Sequence, residues 1–294
     1  MTSDQQRALL SASDIRQLAD AIGLRPTKTL GQNYVIDPNT IRRIVAAADL
    51  QTTDHVLEIG PGLGSLTLGI LDAAQAVTAI EIDPPVAAQL AITVEAWRTN
   101  GAERLSVLEA DALSLHGAEI TAAKPATTDK PPTAIVANLP YNVAVPVLLH
   151  ILAELPSIKH GLVMVQHEVA ERLAAKPGSK IYGVPSVKMA WYGQTTLAGT
   201  VGTKVFWPAP RIRSGLVYFI AQQPPQTTAS RQQVFEVVDA AFAQRRKTLR
   251  AALGNWAGSP AEAEQLLTAA NVDPKARGEV LEINDFARIA EQKQ

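Results

Sequence analysis

Four apolar runs in this chain each end in residues that can do chemistry. "VLEIGPGLGSLT" carries Gly60, Gly62 and Gly64; "AIEIDP" carries Glu81; "LEADAL" carries Asp111; "IVANLPYNVAVP" carries Asn138-Leu139-Pro140-Tyr141. Glycines at that spacing permit backbone angles that other residues resist, and they let a ligand approach closely. The pattern G-x-G-x-G falls one place short of the dinucleotide fingerprint, where Ser65 stands. Taken alone, the loop also fits an ordinary tight strand–helix turn. Glu81 lies at about the spacing at which an acid binds a ribose diol. Asp111 taken alone also fits a helix cap. Together the strand ends deliver polar groups to one edge, where open α/β sheets bind ligands. A phosphate-rich cofactor would favour a basic residue near the loop, and none is there. S-adenosylmethionine fits, having a ribose, an adenine and a charged amino acid but no phosphate.

These groups need a scaffold that aligns strand ends. Strand-like runs alternate with helical ones: "HVLEIG", a helix from Ser65, "AVTAIEID", a helix from Pro84, "LSVLEAD", "AIVANLP", a helix from about Val145 and "HGLVMVQ". Such alternation predicts βαβ units and a mostly parallel, doubly wound α/β sheet of Rossmann-like type. Ahead of it, "SASDIRQLADAIGL" reads as a helix stopped by Gly23, and Asp37-Pro38 starts another. "TAAKPATTDKPPT" reads as a mobile loop and "AKPGSKIYGVPS" as a second long loop. "AQQPPQTTASRQQ" has the composition of a linker. Beyond it the chain is helical to the end. The expected division is a domain over 1–222 and a smaller helical domain over 223–294.

Bulk composition excludes several classes. The 294 residues suffice for a large domain plus a small one, and 47% hydrophobic content suits a sizeable core. The net charge of −1 gives no global attraction to nucleic acid, so such a partner needs local basic patches. There is no cysteine, which removes disulfides and thiolate–metal sites, and the five histidines show no metal spacing. The start "MTSDQQRALL" lacks a basic run followed by an apolar core. No apolar stretch reaches membrane-spanning length. A soluble, cytoplasmic protein is expected, with no metal, no membrane partner and nothing that suggests an obligate oligomer, hence a monomer.

N-L-P-Y at a strand end resembles the [N/D]-P-P-[Y/F] signature of methyltransferases that act on exocyclic amines. The chemistry explains the residue types. The lone pair of an adenine N6 amine is delocalised into the ring, so the amine is a poor nucleophile. Acceptors at its two N–H groups can hold it out of conjugation. The Asn138 side-chain oxygen is one acceptor, and the Leu139 carbonyl can be the other because Pro140 fixes the chain direction. Tyr141 can stack on the base. No strong general base is required, so positioning dominates. The competing reading is a turn in which Asn138 caps a helix and Tyr141 is core.

With these residues in hand, the chain resembles the ribosomal RNA adenine N6-dimethyltransferases, and most closely their small-subunit branch linked to kasugamycin susceptibility. The resemblance runs from about Thr29 to Leu253. It includes "GQNYVID", "EIGPGLGSLT", "IEID", "DAL", "NLPYNVAVP", "VQHEVAERLAAKPGSKIYGVPSV", "VFWPAPRIRSG" and "FAQRRKTLRAAL". It implies a class I S-adenosylmethionine methyltransferase domain with a smaller C-terminal helical domain that binds rRNA. For the cofactor it implies Asn33, Val35, Gly60, Gly62, Glu81, Ile82, Asp111, Ala112 and Asn138. Glu81 would bind the ribose hydroxyls, and Asp111 the adenine. Phe206 would face the target base opposite Tyr141, completing a catalytic set with Asn138, Leu139 and Pro140. The implied substrate is a pair of adjacent adenosines in the hairpin loop near the 3′ end of 16S rRNA in the immature 30S subunit, each dimethylated late in assembly.

Some positions depart from the family pattern. Val35 stands where Leu is common, "NVAVP" loses two hydroxyls near the target pocket, Arg213 stands where Asp is common, and Ala252 where Asn is frequent. "FAQRRKTLRAAL" puts Arg245, Arg246, Lys247 and Arg250 on about one and a half expected helical turns, as a phosphate-binding cluster or a solvated face. Arg172, Lys176 and Lys180 flank the second loop and can also track RNA. Trp207 fits base stacking and core packing equally. Three other readings stand beside the leading one: a 23S rRNA adenine methyltransferase of the macrolide-resistance type, a DNA adenine methyltransferase, and a catalytically silent assembly-checkpoint protein. The "VFWPAP" and "RRKTLR" stretches and Leu139 favour the first. No segment reads as a DNA-reading domain, and an intact "NLPY" argues against silence.

Overall fold

A computed structural model describes residues 8–26 and 32–293. The first residues of "MTSDQQRALL" and the Thr29–Gly31 end of the family-like stretch lie outside these. Local signals account for the first elements. Helix α1 (Ala12–Ala21) opens on a capping box: the Asp14 N–H donates to the Ser11 hydroxyl at 3.3 Å, and the Ser11 N–H to the Asp14 carboxylate at 2.8 Å. Gly23, at φ +63°, follows its end. After the short strand β1 (Tyr34–Val35), α2 (Pro38–Ala47) starts where the Asp37 carboxylate accepts from the Thr40 N–H at 2.9 Å.

The expected alternation follows. It runs β2 (His55–Ile59), α3 (Ser65–Ala73), β3 (Ala76–Glu81), α4 (Pro84–Trp97), α5 (Gly101–Arg104), β4 (Leu105–Glu109), α6 (Gly117–Ala122), β5 (Ala134–Asn138), α7 (Ala144–Glu154) and β6 (His160–Gln166). Then come α8 (His167–Leu173), α9 (Val184–Ala190), β7 (Gly193–Val201), β8 (Phe206–Trp207) and β9 (Ser214–Ala221). The seven-stranded sheet has the order β4-β3-β2-β5-β6-β9-β7. The first five are parallel, and β9 runs antiparallel to β6. Strands β2 and β3 are buried along their whole length, which is why they read as unbroken apolar runs. Strand order reverses between β2 and β5, the switch point at which ligand crevices form. The glycine loop leaves β2 and N-L-P-Y leaves β5, so the fold sets the two motifs side by side. A separate ribbon pairs Tyr34 with Trp207 and Val35 with Phe206.

Two compact units divide the chain: one contains the residues up to Ala170 with Thr196–Ile220, the other Glu171–Thr195 with the chain from Ala221 onward. The second unit holds α9, α10 (Arg231–Ala243), α11 (Leu249–Ala252), α12 (Gly254–Ala257), α13 (Pro260–Ala269) and α14 (Ile283–Glu291). The expected boundary after residue 222 left 171–195 in the first domain. The structure differs there, because Tyr182, Val187 and Trp191 are buried among Val234, Leu249 and Phe286, and the Tyr182 hydroxyl donates to the Leu281 carbonyl at 2.8 Å.

Two further expectations are corrected. Arg245, Arg246 and Lys247 are not on a continuous helix. They form a turn between α10 and α11, where the Lys247 N–H donates to the Gln244 carbonyl at 2.8 Å and Thr248 stands in extended conformation ahead of the next helix. The Pro/Thr-rich segment before β5 is a docked strap. His55 Nδ1 donates to the Lys130 carbonyl at 2.8 Å, Gln75 to the Thr127 carbonyl at 2.7 Å and Ser157 to the Pro132 carbonyl at 2.7 Å. His55 begins β2, so the strap lies at the opposite end of the sheet from the glycine loop.

Candidate active site

The crevice at the switch point is built by backbone geometry first. Gly60, Gly62 and Gly64 have φ of +66°, +58° and +96°. A side chain on Gly62 would put its Cβ 2.6 Å from Cε1 of Tyr34, so the loop turns flat against that ring. Ser65 then opens α3. Next door, β3 delivers Glu81. Its carboxylate accepts the Gly62 N–H at 3.1 Å through Oε2 and the Asp83 N–H at 3.1 Å through Oε1. The acid therefore fixes the loop and stays in a defined pose. Burial raises its pKa above the ordinary carboxylate range.

Asp111 follows β4 and accepts the Leu113 N–H at 2.9 Å. It caps a turn, not a helix, and it also lines the cavity. Ile82 is 50% exposed and Leu113 38%, large aliphatic side chains kept open at the cavity mouth beside a carboxylate. That pairing of apolar surface with a polar edge suits a flat heterocycle.

At the end of β5, the Asn138 amide nitrogen donates to the Asn33 carbonyl at 2.9 Å. Leu139 is buried, and its N–H is spent on the Met164 carbonyl at 3.0 Å. The Tyr141 and Ser214 hydroxyls lie 2.6 Å apart, which anchors the far end of the tyrosine ring. Burial raises the Tyr141 pKa, so it stays a neutral phenol.

One cavity brings together the nine residues expected at the cofactor: Asn33 and Val35, Gly60 and Gly62, Glu81 and Ile82, Asp111 and Ala112, and Asn138. Pro140 lines it as well; Leu139 and Tyr141 sit outside its wall. Phe206 does not face a base in this structure. It is 3% exposed, because its strand partner is Val35 and its ring joins the core. Trp207 is half-buried, its ring centroid 6.0 Å from that of Tyr34.

The sequence reading did not find Tyr34, Gln32 or Glu58 at the cavity. Gln32 donates to the Asp83 carboxylate at 3.0 Å. Tyr34 could have been suspected from its place between Asn33 and Val35. Glu58 is 1% exposed, and burial pushes its carboxyl up to about 8. Burial thus favours the protonated, neutral form, a state that no spacing rule reveals.

Lys180 and the basic cluster belong to the second unit. Arg245 is engaged by the Lys180 carbonyl and, at 3.4 Å, by Glu279; Arg250 pairs with Glu264 at 2.7 Å. Arg246 and Lys247 are exposed and make no ion pair among the described residues. Among the described residues no group of acids and histidines could hold a metal ion, and no helix is long and apolar enough to cross a membrane.

A parallel sheet with a glycine loop after one switch-point strand and N-L-P-Y after the other defines a methyltransferase. Comparison with known proteins narrows the class. The profile of the ribosomal RNA adenine dimethylase family matches residues 24–294, and the chain belongs to that family. It is 64% identical over 289 residues to a ribosomal RNA small subunit methyltransferase A of Arthrobacter sp. (strain FB24), covering 98% of this chain and 94% of the relative. It is 57% identical to the protein of that name from Streptomyces coelicolor, over the full length of both. The fold is shared with a dimethyladenosine transferase from Plasmodium falciparum, at TM-score 0.68 and 24% identity over 86% of this chain and 94% of the other. It is also shared with the 23S rRNA methyltransferase ErmE, at TM-score 0.62 and 24% identity over 89% and 100%.

Proposed function

We propose that the protein transfers methyl groups from S-adenosylmethionine to N6 of two adjacent adenosines in the hairpin loop near the 3′ end of 16S rRNA, dimethylating each. It acts as a cytoplasmic monomer on the immature small subunit. The observation that carries this reading is the single cavity that gathers Glu81, Asp111 and Asn138 around the glycine loop. The buried Glu81 carboxylate, the exposed Ile82 and Leu113 and the glycine loop fit a ribose, an adenine and a methionine tail respectively. Bound there, the cofactor supplies an electrophilic methyl group on a sulfonium.

The chain's own residues do the positioning. Glu81 accepts hydrogen bonds from the ribose hydroxyls, and Asp111 accepts from the adenine amine. Asn33 holds the nitrogen of the Asn138 amide, leaving its oxygen to accept from the target N6 amine. The Leu139 carbonyl takes the second N–H of that amine, and Pro140 holds the carbonyl's direction. Tyr141, anchored through Ser214, offers its ring to the base. With both N–H groups held by acceptors, the amine lone pair is turned out of conjugation with the ring, and orientation does the rest. Arg246 and Lys247 supply phosphate contacts from the second unit.

The test is transfer of label from S-adenosylmethionine to unmethylated small subunits, large-subunit rRNA and DNA, with the product identified by mass spectrometry. N6,N6-dimethyladenosine in the small subunit alone is expected. Label in large-subunit rRNA would move the protein to the macrolide-resistance type, and cofactor binding without any transfer would move it to the silent checkpoint reading.

A further inference from the structure

We propose that Arg211 and Arg213 form a binding site for phosphates of the substrate RNA strand beside the catalytic motif. The inference deepens the function proposed above and rests on it. Arg213 immediately precedes Ser214, whose hydroxyl lies 2.6 Å from that of Tyr141. Tyr141 stands between Pro140 and Asn142, which both line the cavity. The main chain at Arg213 is fixed, because its carbonyl accepts the His167 N–H at 3.1 Å and Ser214 pairs with Gln166. Its side chain is free of the fold. Arg211, Ile212 and Arg213 are all exposed, and neither guanidinium makes an ion pair or hydrogen bond among the described residues.

Three other arginines of this unit are committed to the fold. Arg98 meets Asp72 at 2.7 Å, Arg104 holds the Gln75 and Ala74 carbonyls, and Arg43 reaches the Thr200 carbonyl. Glu168, next to His167, neutralises neither Arg211 nor Arg213. A guanidinium is a planar fork that matches a phosphate with two hydrogen bonds. Two such forks, two residues apart on a segment tethered to the Tyr141 anchor, suit the backbone on either side of a base turned toward Tyr141. The net charge of −1 means that local basic groups such as this pair, not a global field, do the attracting. The exposed Ile212 between them, at 44%, offers an apolar face to a neighbouring base or sugar.

The experiment compares the parent with the double variant Arg211→Gln/Arg213→Gln. It measures affinity for unmethylated small subunits between about 50 and 200 mM KCl. Calorimetric titration with S-adenosylmethionine confirms that each protein is folded. Two lost phosphate contacts should make the slope of log affinity against log salt shallower by about 1.4 to 1.8. The doubly conservative variant Arg211→Lys/Arg213→Lys should keep the parent slope. Should the Gln pair not fold, Arg213→Gln alone should show about half the change. A Gln variant that binds the cofactor and keeps the parent slope overturns the site, as does a Lys variant that loses it. A parent that binds no small subunit overturns the proposed function instead, and this site falls with it.

Discussion

The side-chain amide nitrogen of Asn138 donates to the main-chain carbonyl of Asn33 at 2.9 Å, across 105 residues of chain. A carbonyl can only accept, so the amide has one orientation, with its oxygen left for a ligand. Asn138→Ala removes that oxygen together with the bond to Asn33, at the last residue of β5. Single-turnover transfer should fall by about a hundredfold, with rRNA binding little changed. Transfer near the parent rate would show that the amide does not aim the amine.

Glu81 works in two directions, holding the Gly62 and Asp83 N–H groups and offering its remaining lone pairs to a ligand. Glu81→Ala should weaken S-adenosylmethionine binding by tenfold or more, about the worth of one charge-assisted hydrogen bond. Because burial raises its pKa, protonation on acidification begins at a higher pH than for a surface glutamate. Parent affinity should therefore decline early as pH falls, while the Ala variant stays flat. Calorimetry across pH reads both effects, and a parent curve parallel to the variant's would refute the ribose role.

Glu58 makes a prediction about stability. Its carboxyl is raised from the ordinary 4.5 to about 8 by burial, so the folded state holds a proton that the unfolded chain gives up. Between about pH 4.5 and 8 the folded protein binds more protons, and stability contributed by this group is lost as pH rises. Glu58→Gln keeps a neutral polar group of similar size. Its stability relative to the parent should grow from pH 5 to pH 8 by on the order of a few kcal/mol. Urea unfolding at the two pH values decides it, and an equal difference at both would mean that Glu58 is not held neutral.

The basic turn of the second unit is divided by its partners. Arg245 and Arg250 already meet Glu279 and Glu264, whereas Arg246 and Lys247 meet no acid among the described residues. Replacing Arg246 and Lys247 by Gln should flatten the salt dependence of small-subunit binding more than replacing Arg245 and Arg250. The reverse ranking would assign the RNA contacts to the ion-paired residues.

Much of the sheet and of the switch-point cavity was legible because both depend on signals local in sequence. Apolar runs punctuated by glycine, acid or amide name their own strand ends, and parallel topology aligns those ends. What escaped depends on distant partners. Phe206 reads as an aromatic free to face a base until β8 meets β1, and then Val35 covers it. Residues 171–195 read as part of the first domain, with a loop over 175–186, yet Tyr182 and Trp191 are buried among apolar residues from Ala229 onward. Arg245 to Lys247 carry no helix breaker, and the turn there arises where Thr248 is extended and the Leu249 N–H is drawn to the Ala276 carbonyl. The Glu58 carboxyl looks like any acid in a strand until the depth of the sheet is known.

The strap before β5 is held by what every residue possesses. His55, Gln75 and Ser157 grip the carbonyls of Lys130, Thr127 and Pro132, not their side chains. Its outward side chains, such as the fully exposed Asp129, whose ion pair at 2.8 Å is with Lys124 of the same strap, are therefore free to drift over generations without loosening those carbonyl grips. The same freedom makes Asp129 a suitable handle for a fluorophore or surface tether, at the end of the sheet farthest from the chemistry.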